Sequence, residues 1–404
     1  MTFEVTPCAD LDEFGEAFLA IGQYFGLEPT PERIERFAKN LPVERMHAAR
    51  ADGEIVGGAG AFPFEVTVPG AMLRAAGVTV VGTYPTHRRR GVLTAMMRAQ
   101  LEDVHERGEP LAMLWASDER IYGRFGYGMA SLVGWPTIPR EAPFAMQLEP
   151  RGRIRLVDTE QAMELLPRVW DTARPGIPGM IGRSREWWEY RTLFDPPDQR
   201  GGSGPKRFAV LENDRVVEGY AIYRHKPPTF EEGTPDGEVE AIEVIAHDGA
   251  PMAQLWRFLL DIDWAVRVNA SLLPVDHQLL HMLAAPREMR FRLTDGVWVR
   301  LVDVGAALSG RTYENGERLV LQLTDAFCPW NKGRWKLEDG VAERTRAAAD
   351  LRCDVSVLSS TYLGAFGFSE LVRAGRAEEL KPGAAARADR MFAAARKPWC
   401  PVIF

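Results

Sequence analysis

The stretch VTVVGTYPTHRRRGVLTAMM, residues 78–97, constrains the fold of this chain more than any other segment. Its first six residues include β-branched side chains that favour a strand. After Gly91, apolar side chains recur with the spacing of one helix face, at Leu93, Met96, Met97, Leu101 and Val104. The segment therefore predicts a strand, a basic turn and a helix, in that order.

The turn before the predicted helix, Arg88-Arg89-Arg90-Gly91, has the properties of an anion site. The first N–H groups of a helix lack acceptors within the helix, and the helix dipole is positive at that end. The arginines add positive charge, and the glycine lets a phosphate approach the backbone closely. An RRRG sequence taken alone is more often a solvated basic surface than an anion site. The neighbouring segments are therefore needed to choose between these two interpretations.

Those neighbours resemble a known family. HRRRGVL, residues 87–93, is similar to the arginine/glutamine-x-x-glycine-x-glycine/alanine motif that binds the acetyl-CoA pyrophosphate in GCN5-related N-acetyltransferases (GNAT), with Leu93 where glycine or alanine is usual. The longer string PTHRRRGVL, the segment ASDERIYGRFGYG at 116–128 and an apolar chain end in phenylalanine resemble more specifically the Eis (enhanced intracellular survival) acetyltransferases. This second resemblance covers the whole chain.

The resemblance implies acetyl-CoA as cosubstrate, bound in a cleft where two strands separate. Main-chain amides at the end of the first strand would bond the pantetheine and the thioester oxygen, because the following strand, 111–117, diverges from it. The turn and the start of the helix would hold the pyrophosphate. The implied contacts are Val81, Gly82, Thr83, Arg88, Arg89, Arg90, Gly91, Val92, Leu93, Thr94, Ser117 and Asp118.

Composition excludes several other classes of protein. The 404 residues, 46% hydrophobic and 26% charged, predict a globular chain of two or three domains, and we expect three. A net charge of −7 argues against a nucleic-acid binder, whereas an acidic surface suits cationic substrates. The four cysteines have no metal-binding spacing, which predicts reduced thiols, no disulfide and no metal site.

The hydrophobic pattern predicts a cytoplasmic protein. No run of residues approaches the roughly 18 apolar residues of a membrane span. The amino-terminal sequence MTFEVTPCADLDEF carries acids where a signal peptide carries bases. We therefore expect neither a membrane span nor secretion.

The order of the predicted elements indicates an α/β fold with mixed α+β sheets in three domains. Residues 1–145 follow the strand and helix order of a GNAT domain, with helices predicted at 11–25 and 31–38, a turn at Asp52-Gly53 and a short helix capped by Ser117 or Asp118. A hairpin is predicted around Asn213-Asp214. The segment 239–263 repeats the strand-to-helix order with Asp248-Gly249 in place of the arginines, which predicts a degenerate GNAT-like domain at 146–290 without a cofactor site. Residues 291–404 resemble the sterol-carrier-like domain of the same family, although a packing module without a ligand is the plainer interpretation.

Acetyl transfer from a thioester to an amine needs a neutral amine, a stabilised oxyanion and a proton for the departing thiolate. Tyr122, in YGRFGY, resembles the tyrosine-x-x-x-glycine-aromatic pattern of the family, which implies that its hydroxyl supplies that proton. From the residues alone, a tyrosine at this position is more often part of the core, and Tyr127 is an equal candidate.

The chain end KPWCPVIF carries no charged side chain after Lys397, and its prolines limit the entropy lost on docking, so we expect it to be buried. The resemblance implies that this end enters the first domain and that the terminal carboxylate, on Phe404, is the general base. A free carboxylate is a weak base for an alkylammonium, so the role requires burial or a water acting on an amine that is already neutral. A carboxylate that only orients the amine is the alternative.

The acceptor implied by the resemblance is a primary amine: an aminoglycoside, a small amine or a lysine. Ile403 is apolar where aminoglycoside-accepting relatives carry a carboxylate, and Trp115 adds bulk, so a multi-amine aminoglycoside is the less favoured acceptor. Two alternatives stay open: a longer acyl chain in a channel lined by Met96, Met97 and Trp115, and a lipid carrier using the last domain. The family also implies a homo-oligomer, a hexamer of paired trimers.

Overall fold

A computed structural model describes residues 3–26, 28–149, 151–230, 233–314 and 316–404. The chain forms two compact units. Unit 1 comprises residues 3–131, 297–398 and 403–404, and unit 2 comprises residues 132–296 and 399–402.

The first part of unit 1 has the strand and helix order predicted for a GNAT domain. Its elements are β1 (Glu4–Pro7), α1 (Leu11–Gly22), α2 (Pro31–Ala38), β2 (Met46–Ala51), β3 (Glu54–Val68), β4 (Ala71–Thr83), α3 (Val92–Glu106), β5 (Leu111–Trp115), α4 (Glu119–Tyr122) and β6 (Gly128–Met129). The turn predicted at Asp52-Gly53 is confirmed, with φ angles of 52° and 86° that suit a tight hairpin. The helix predicted over 11–25 ends earlier, at Gly22, and continues as a 3₁₀ turn, Gln23–Phe25.

Unit 2 repeats this order. Its elements are β7 (Leu132–Trp135), β8 (Thr137–Pro139), β9 (Arg153–Val157), α5 (Thr159–Ala173), α6 (Arg185–Trp187), β10 (Arg207–Asn213), β11 (Val216–Lys226), β12 (Gly237–Ala246), α7 (Gly249–Leu260), β13 (Ala265–Ala270), β14 (Leu273–Pro274), α8 (Leu279–Met282) and β15 (Arg292–Asp295). The hairpin expected around Asn213-Asp214 is present, with its two left-handed residues at Asp214 and Arg215, one position later.

The remaining elements complete unit 1. They are β16 (Val297–Leu301), α9 (Val304–Ser309), β17 (Leu319–Thr324), β18 (Gly333–Glu338), β19 (Val341–Arg344), β20 (Leu351–Asp354), α10 (Val355–Thr361), α11 (Phe368–Arg373), β21 (Ala377–Glu379) and α12 (Ala384–Phe392). Strands β17 to β21 form a five-stranded sheet in the order β19-β18-β17-β20-β21.

The main sheet of unit 1 has the order β1-β2-β3-β4-β5-β16-β6, and β4 and β5 are its parallel pair. Strand β16 lies between β5 and β6, although sequence patterns place it in the last domain. Because β16 and its two partner strands are far apart in the chain, no local sequence pattern predicts this pairing. The boundaries 1–145, 146–290 and 291–404 stay a prediction.

The two faces of this sheet carry different packing layers, since side chains alternate along a strand. On one face, Met97 and Leu101 of α3 pack against Ala76 and Val78 of β4. On the other face, the ring of Phe62 in β3 packs against Phe37 of α2, and Phe37 in turn packs edge-to-face against Phe18 of α1. We call these the α3 face and the α1 face.

The main sheet of unit 2 has the order β8-β13-β12-β11-β10-β9, with β12 and β13 parallel. From β9 to β13 this is the same topology as β1 to β5 of unit 1, as an internal duplication predicts. A separate three-stranded sheet of the same unit has the order β14-β7-β15. In the described part of the chain, no helix has the length and apolar character that a membrane crossing requires. All four cysteines are buried and free.

Candidate active site

Strands β4 and β5 separate part-way along their length. Their parallel pairing runs from Ala75↔Leu111 to Gly77↔Met113, although β4 continues to Thr83. The main-chain groups of β4 beyond Gly77 that point towards β5 therefore do not pair with β5. This gap between the two strands is the opening expected from the family resemblance.

A β-bulge lies at the same place and was not predicted. Gly58 pairs with Gly82 and Gly60 pairs with Thr79, so β4 has one extra residue at this point. Val80 accommodates it with a left-handed φ of 47°, which is uncommon for a β-branched residue. A bulge bends its strand, and this one lies just beyond Gly77, where the pairing of β4 with β5 ends.

Gly82 has a packing role besides the predicted cofactor contact. A Cβ at Gly82 would lie 2.6 Å from the backbone of Ile21 in α1, so only glycine lets the helix approach. Val81 is half-buried and packs on the α3 face, and Thr83 accepts a hydrogen bond of 2.9 Å from the Tyr24 hydroxyl through its carbonyl.

The predicted anion turn is open to solvent. Arg88, Arg89 and Arg90 are all exposed, and Gly91 begins α3 with a φ of 96°. No described side chain caps the helix, and a Cβ at Gly91 would meet nothing within 4 Å. The N–H groups at Val92, Leu93 and Thr94 thus face an unobstructed approach, the arrangement that binds phosphate.

Leu93 departs from the family pattern for a reason visible in the structure. Its side chain is half-buried and packs against the core cluster that contains Val92 and Met96. The main-chain N–H stays available whichever side chain is present, so the substitution leaves the anion site intact.

Asp118 begins the short helix α4, as one of the two predicted caps. Its carboxylate accepts a hydrogen bond from the Arg120 N–H and pairs with the Arg120 side chain at 2.9 Å. These Arg120 hydrogen bonds lower the pKa of Asp118 to about 2. Ser117 is exposed beside it. The cofactor contacts expected of both residues stay a prediction.

Tyr122 ends α4 and lies on the α3 face, in the same cluster as Ala76, Val78 and Leu114. It is 6% exposed, and burial raises the pKa of Tyr122 to about 12. No described residue receives a hydrogen bond from its hydroxyl, which is therefore a protonated and available donor. Tyr127 packs edge-to-face against it with ring centroids 5.9 Å apart, but Tyr127 is 0% exposed, so Tyr122 is the one within reach of a ligand.

Phe404 lies on the α1 face of the same opening. The residue is 8% exposed, and its ring packs edge-to-face on Phe64 at 4.9 Å between centroids. The Phe64 ring in turn covers Gly77, where a Cβ would lie 2.2 Å from Cε2 of Phe64. Because Gly77 is the last residue of β4 paired with β5, the chain end lies where the strands separate. The expected burial of the chain end is confirmed, with Ile403 an exception at 55% exposed.

Met96 and Met97 do not have the environment of a ligand channel. Both are fully buried where α3 packs on the sheet. Trp115 is half-buried at the end of β5, where it pairs with Val297 of β16. The longer-chain alternative therefore receives no support from the two methionines.

The corresponding helix start in unit 2 differs as the sequence predicted. The Asp248 carboxylate caps α7 by accepting a hydrogen bond from the Ala250 N–H, and Arg151 lies 3.7 Å from it. A Cβ at Gly249 would lie 3.3 Å from the Gln278 side chain. An acid occupies the position where unit 1 offers free N–H groups and arginines, which supports the predicted loss of the cofactor site.

Family models match three segments of the chain. An acetyltransferase (GNAT) domain matches residues 9–130, a second acetyltransferase (GNAT) domain matches 179–301, and a sterol carrier protein domain matches 304–401. An uncharacterized N-acetyltransferase of Streptomyces avermitilis is 43% identical over 87% of both chains. The N-acetyltransferase Eis of Mycobacterium tuberculosis is 34% identical over 96% of this chain and 97% of its own. The chain belongs to the Eis family of N-acetyltransferases.

A solved structure of the family agrees with the architecture. The crystal structure of Eis1 from Mycobacterium abscessus superposes with a TM-score of 0.88 and 31% sequence identity, covering 99% of this chain and 100% of that one. The predicted fold class, tandem GNAT folds followed by a sterol-carrier-like domain, is thereby confirmed. As an Eis-family member the chain is an acetyltransferase.

Proposed function

We propose that this Eis-family chain transfers the acetyl group of acetyl-CoA to a primary amine, with Tyr122 as general acid and the Phe404 carboxylate as general base. The observation that supports this most is the placement of the two groups on opposite faces of one opening. Tyr122 belongs to the buried cluster of the α3 face, together with Ala76 of β4. Phe404 packs on the α1 face against Phe64, which covers Gly77 at the last pair that joins β4 to β5. An amine can thus approach from one face while the thiolate leaves towards the other.

The cofactor-binding residues proposed here follow the path of the opening. The turn Arg88 to Gly91 and the N–H groups of Val92, Leu93 and Thr94 hold the pyrophosphate, because α3 starts there without a cap. The released edge of β4, Val81 to Thr83, bonds the pantetheine. Ser117 and Asp118 lie just after the end of β5, across the opening.

The reaction then needs two proton movements by the chain's own groups. The Phe404 carboxylate, directly or through a water, takes a proton from the amine as nitrogen attacks the thioester carbon. Main-chain N–H groups beside the bulge stabilise the oxyanion. The C–S bond breaks as the amide forms, and Tyr122 donates a proton or a hydrogen bond to the thiolate. Since the pKa of a thiol is near 8.5, full transfer from Tyr122 is uphill, and hydrogen-bond stabilisation carries part of the effect.

The acceptor proposed is a small primary amine or a lysine. Ile403 is exposed next to the terminal carboxylate, so this side chain presents an apolar surface where a polycation would need an acid. Aminoglycosides with several amines are accordingly the less favoured substrates.

The remaining parts of the proposal rest on the family resemblance. We propose a cytoplasmic homo-oligomer, a hexamer of paired trimers, in which acetyl-CoA is the cosubstrate and no metal takes part. Light scattering that gives a monomer at all concentrations would contradict the assembly.

The proposed activity is tested with the purified chain, acetyl-CoA and a panel of small amines, lysine peptides and aminoglycosides, by following release of the CoA thiol. We expect turnover with at least one monoamine, and a higher melting temperature with acetyl-CoA, because a ligand that binds the folded state stabilises it. Octanoyl-CoA and a free fatty acid serve as comparison ligands. No thiol release with any amine, together with stabilisation by the fatty acid alone, would favour the lipid carrier and refute the enzyme.

A further inference from the structure

Gln100 is an unexpected residue in the apolar face of α3. It is 0% exposed and sits between Met97, Leu101 and Val104, which are also buried. Its Nε2 donates a hydrogen bond of 3.0 Å to the Gly60 carbonyl, while its Oε1 has no partner among the described residues. A buried acceptor without a partner destabilises the fold and offsets the gain from the hydrogen bond to Gly60. The amide of Gln100 therefore adds little net stability.

The carbonyl that Gln100 binds belongs to the bulge. Gly60 is the residue of β3 at which the register with β4 shifts, pairing with Thr79 on one side of the extra residue. A Cβ at Gly60 would lie 2.8 Å from Cγ2 of Val80, the left-handed residue of β4. The amide of Gln100 thus fixes β3 directly against the residue that shapes the opening.

We propose that Gln100 is a positioning residue that holds this bulge in the conformation required for oxyanion stabilisation. This inference rests on the proposed function. Helix α3 carries the anion turn at its start and Gln100 about two turns later, so one rigid element fixes both the pyrophosphate and the strand that faces the thioester. Oxyanion donors have to be held within about 0.5 Å of their productive position, so even a small shift of the bulge lowers the stabilisation they give.

Gln100→Met is the main test, because methionine has a similar length and no hydrogen-bonding amide. We expect kcat to fall about 10-fold to 100-fold, with the KM for acetyl-CoA changed less than about 2-fold, since the anion turn is untouched. The variant loses the hydrogen bond to the Gly60 carbonyl but also the unpartnered Oε1, so the two effects oppose each other and we expect the melting temperature to change little. Met97→Leu is the matched control, a volume-conserving change at a fully buried position of the same helix, and it should keep kcat near the wild-type value.

A second variant, Gln100→Glu, distinguishes a positioning role from a purely structural one through the pH dependence of kcat. Burial favours the neutral carboxyl, whose O–H can donate to the Gly60 carbonyl, and ionisation removes that donor. The ratio of variant to wild-type kcat should therefore be highest at low pH and fall as the pH rises.

Three results would overturn the inference. They are wild-type kcat in Gln100→Met, a loss of kcat in that variant that is matched by a loss of thermal stability, and a flat kcat ratio across pH for Gln100→Glu. If the wild-type chain itself releases no CoA thiol, the proposed function fails and this inference falls with it. An active wild type with an unaffected Gln100→Met variant refutes the positioning role alone.

Discussion

Removing the Tyr122 hydroxyl separates its chemical role from its packing role. The ring of Tyr122 is buried in the cluster that contains Val78 and Leu114, and phenylalanine preserves that packing. The hydroxyl makes no hydrogen bond to the described part of the chain, so its loss should change the free energy of unfolding by no more than about 0.5 kcal/mol. Any large effect of Tyr122→Phe on activity must then come from the transition state.

The expected loss in kcat is about 100-fold, which corresponds to about 2.7 kcal/mol of transition-state stabilisation. The KM for acetyl-CoA should stay near the wild-type value, because a proton donor to the leaving thiolate acts only as the C–S bond breaks. Burial raises the pKa of Tyr122 to about 12, so the acid stays protonated from pH 6 to 10. Over that range wild-type kcat should rise with pH as the amine is deprotonated, without an alkaline decline.

The assay follows release of the CoA thiol at saturating acetyl-CoA and amine, with thermal unfolding measured in parallel. Tyr127→Phe is the control, because the Tyr127 hydroxyl is fully buried and has no partner among the described residues. Its removal should leave kcat and stability nearly unchanged. Wild-type kcat in Tyr122→Phe, with a large loss in Tyr127→Phe, would show that the roles of the two tyrosines have been reversed.

Two further predictions concern the cofactor site and the fold. Arg89→Glu or Arg90→Glu should raise the KM for acetyl-CoA more than tenfold in steady-state kinetics, because each reverses a charge at the uncapped start of α3. An unchanged KM in both variants would show that the turn is not part of the cofactor site. Glu109→Gln should lower the free energy of unfolding in urea by about 3–5 kcal/mol, because it leaves the buried Arg45 guanidinium without its bidentate partner at 2.7 and 2.8 Å. Glu106→Gln, at an exposed position of α3, is the control, and equal stability of the two variants would refute the argument.

Sequence reasoning succeeded where the determining interactions are local. The helix Pro31–Ala38, the turn at Asp52-Gly53 and the Asp118 cap were all predicted, because proline, glycine and aspartate act within a few residues of their own position. The separation of β4 from β5 came from the resemblance to the family and not from the residue pattern.

The features that were missed depend on distant parts of the chain. Strand β16 joins the first sheet through pairs such as Val299↔Met113, which no local periodicity reveals. The bulge at Val80 arises from a register shift opposite Gly60, and only the run of glycines in β3 marked the region. Gln100 could have been recognised from the sequence, since a polar residue inside an otherwise apolar helix face interrupts the hydrophobic pattern of α3.

The general-base role of the Phe404 carboxylate distinguishes the proposed mechanism from that of an ordinary acetyltransferase with an appended domain. The ring is fixed against Phe64, so the position of the carboxylate is set by the length of the chain. Deleting Phe404 leaves a carboxylate on Ile403, about 3.5 Å short of the original position. A misplacement of that size should lower kcat by about 100-fold or more.

A charged tag fused after Phe404 tests the claim most directly, with the same tag at the amino terminus as control. The tag removes the terminal carboxylate and cannot be buried, because charged groups resist desolvation. Turnover of acetyl-CoA with a small amine is measured for both proteins, and thermal unfolding shows that both are folded. We expect the carboxyl-terminal tag to lower kcat at least about 100-fold, while the amino-terminal tag has little effect. Equal turnover by the two folded proteins would contradict the general-base role of the Phe404 carboxylate.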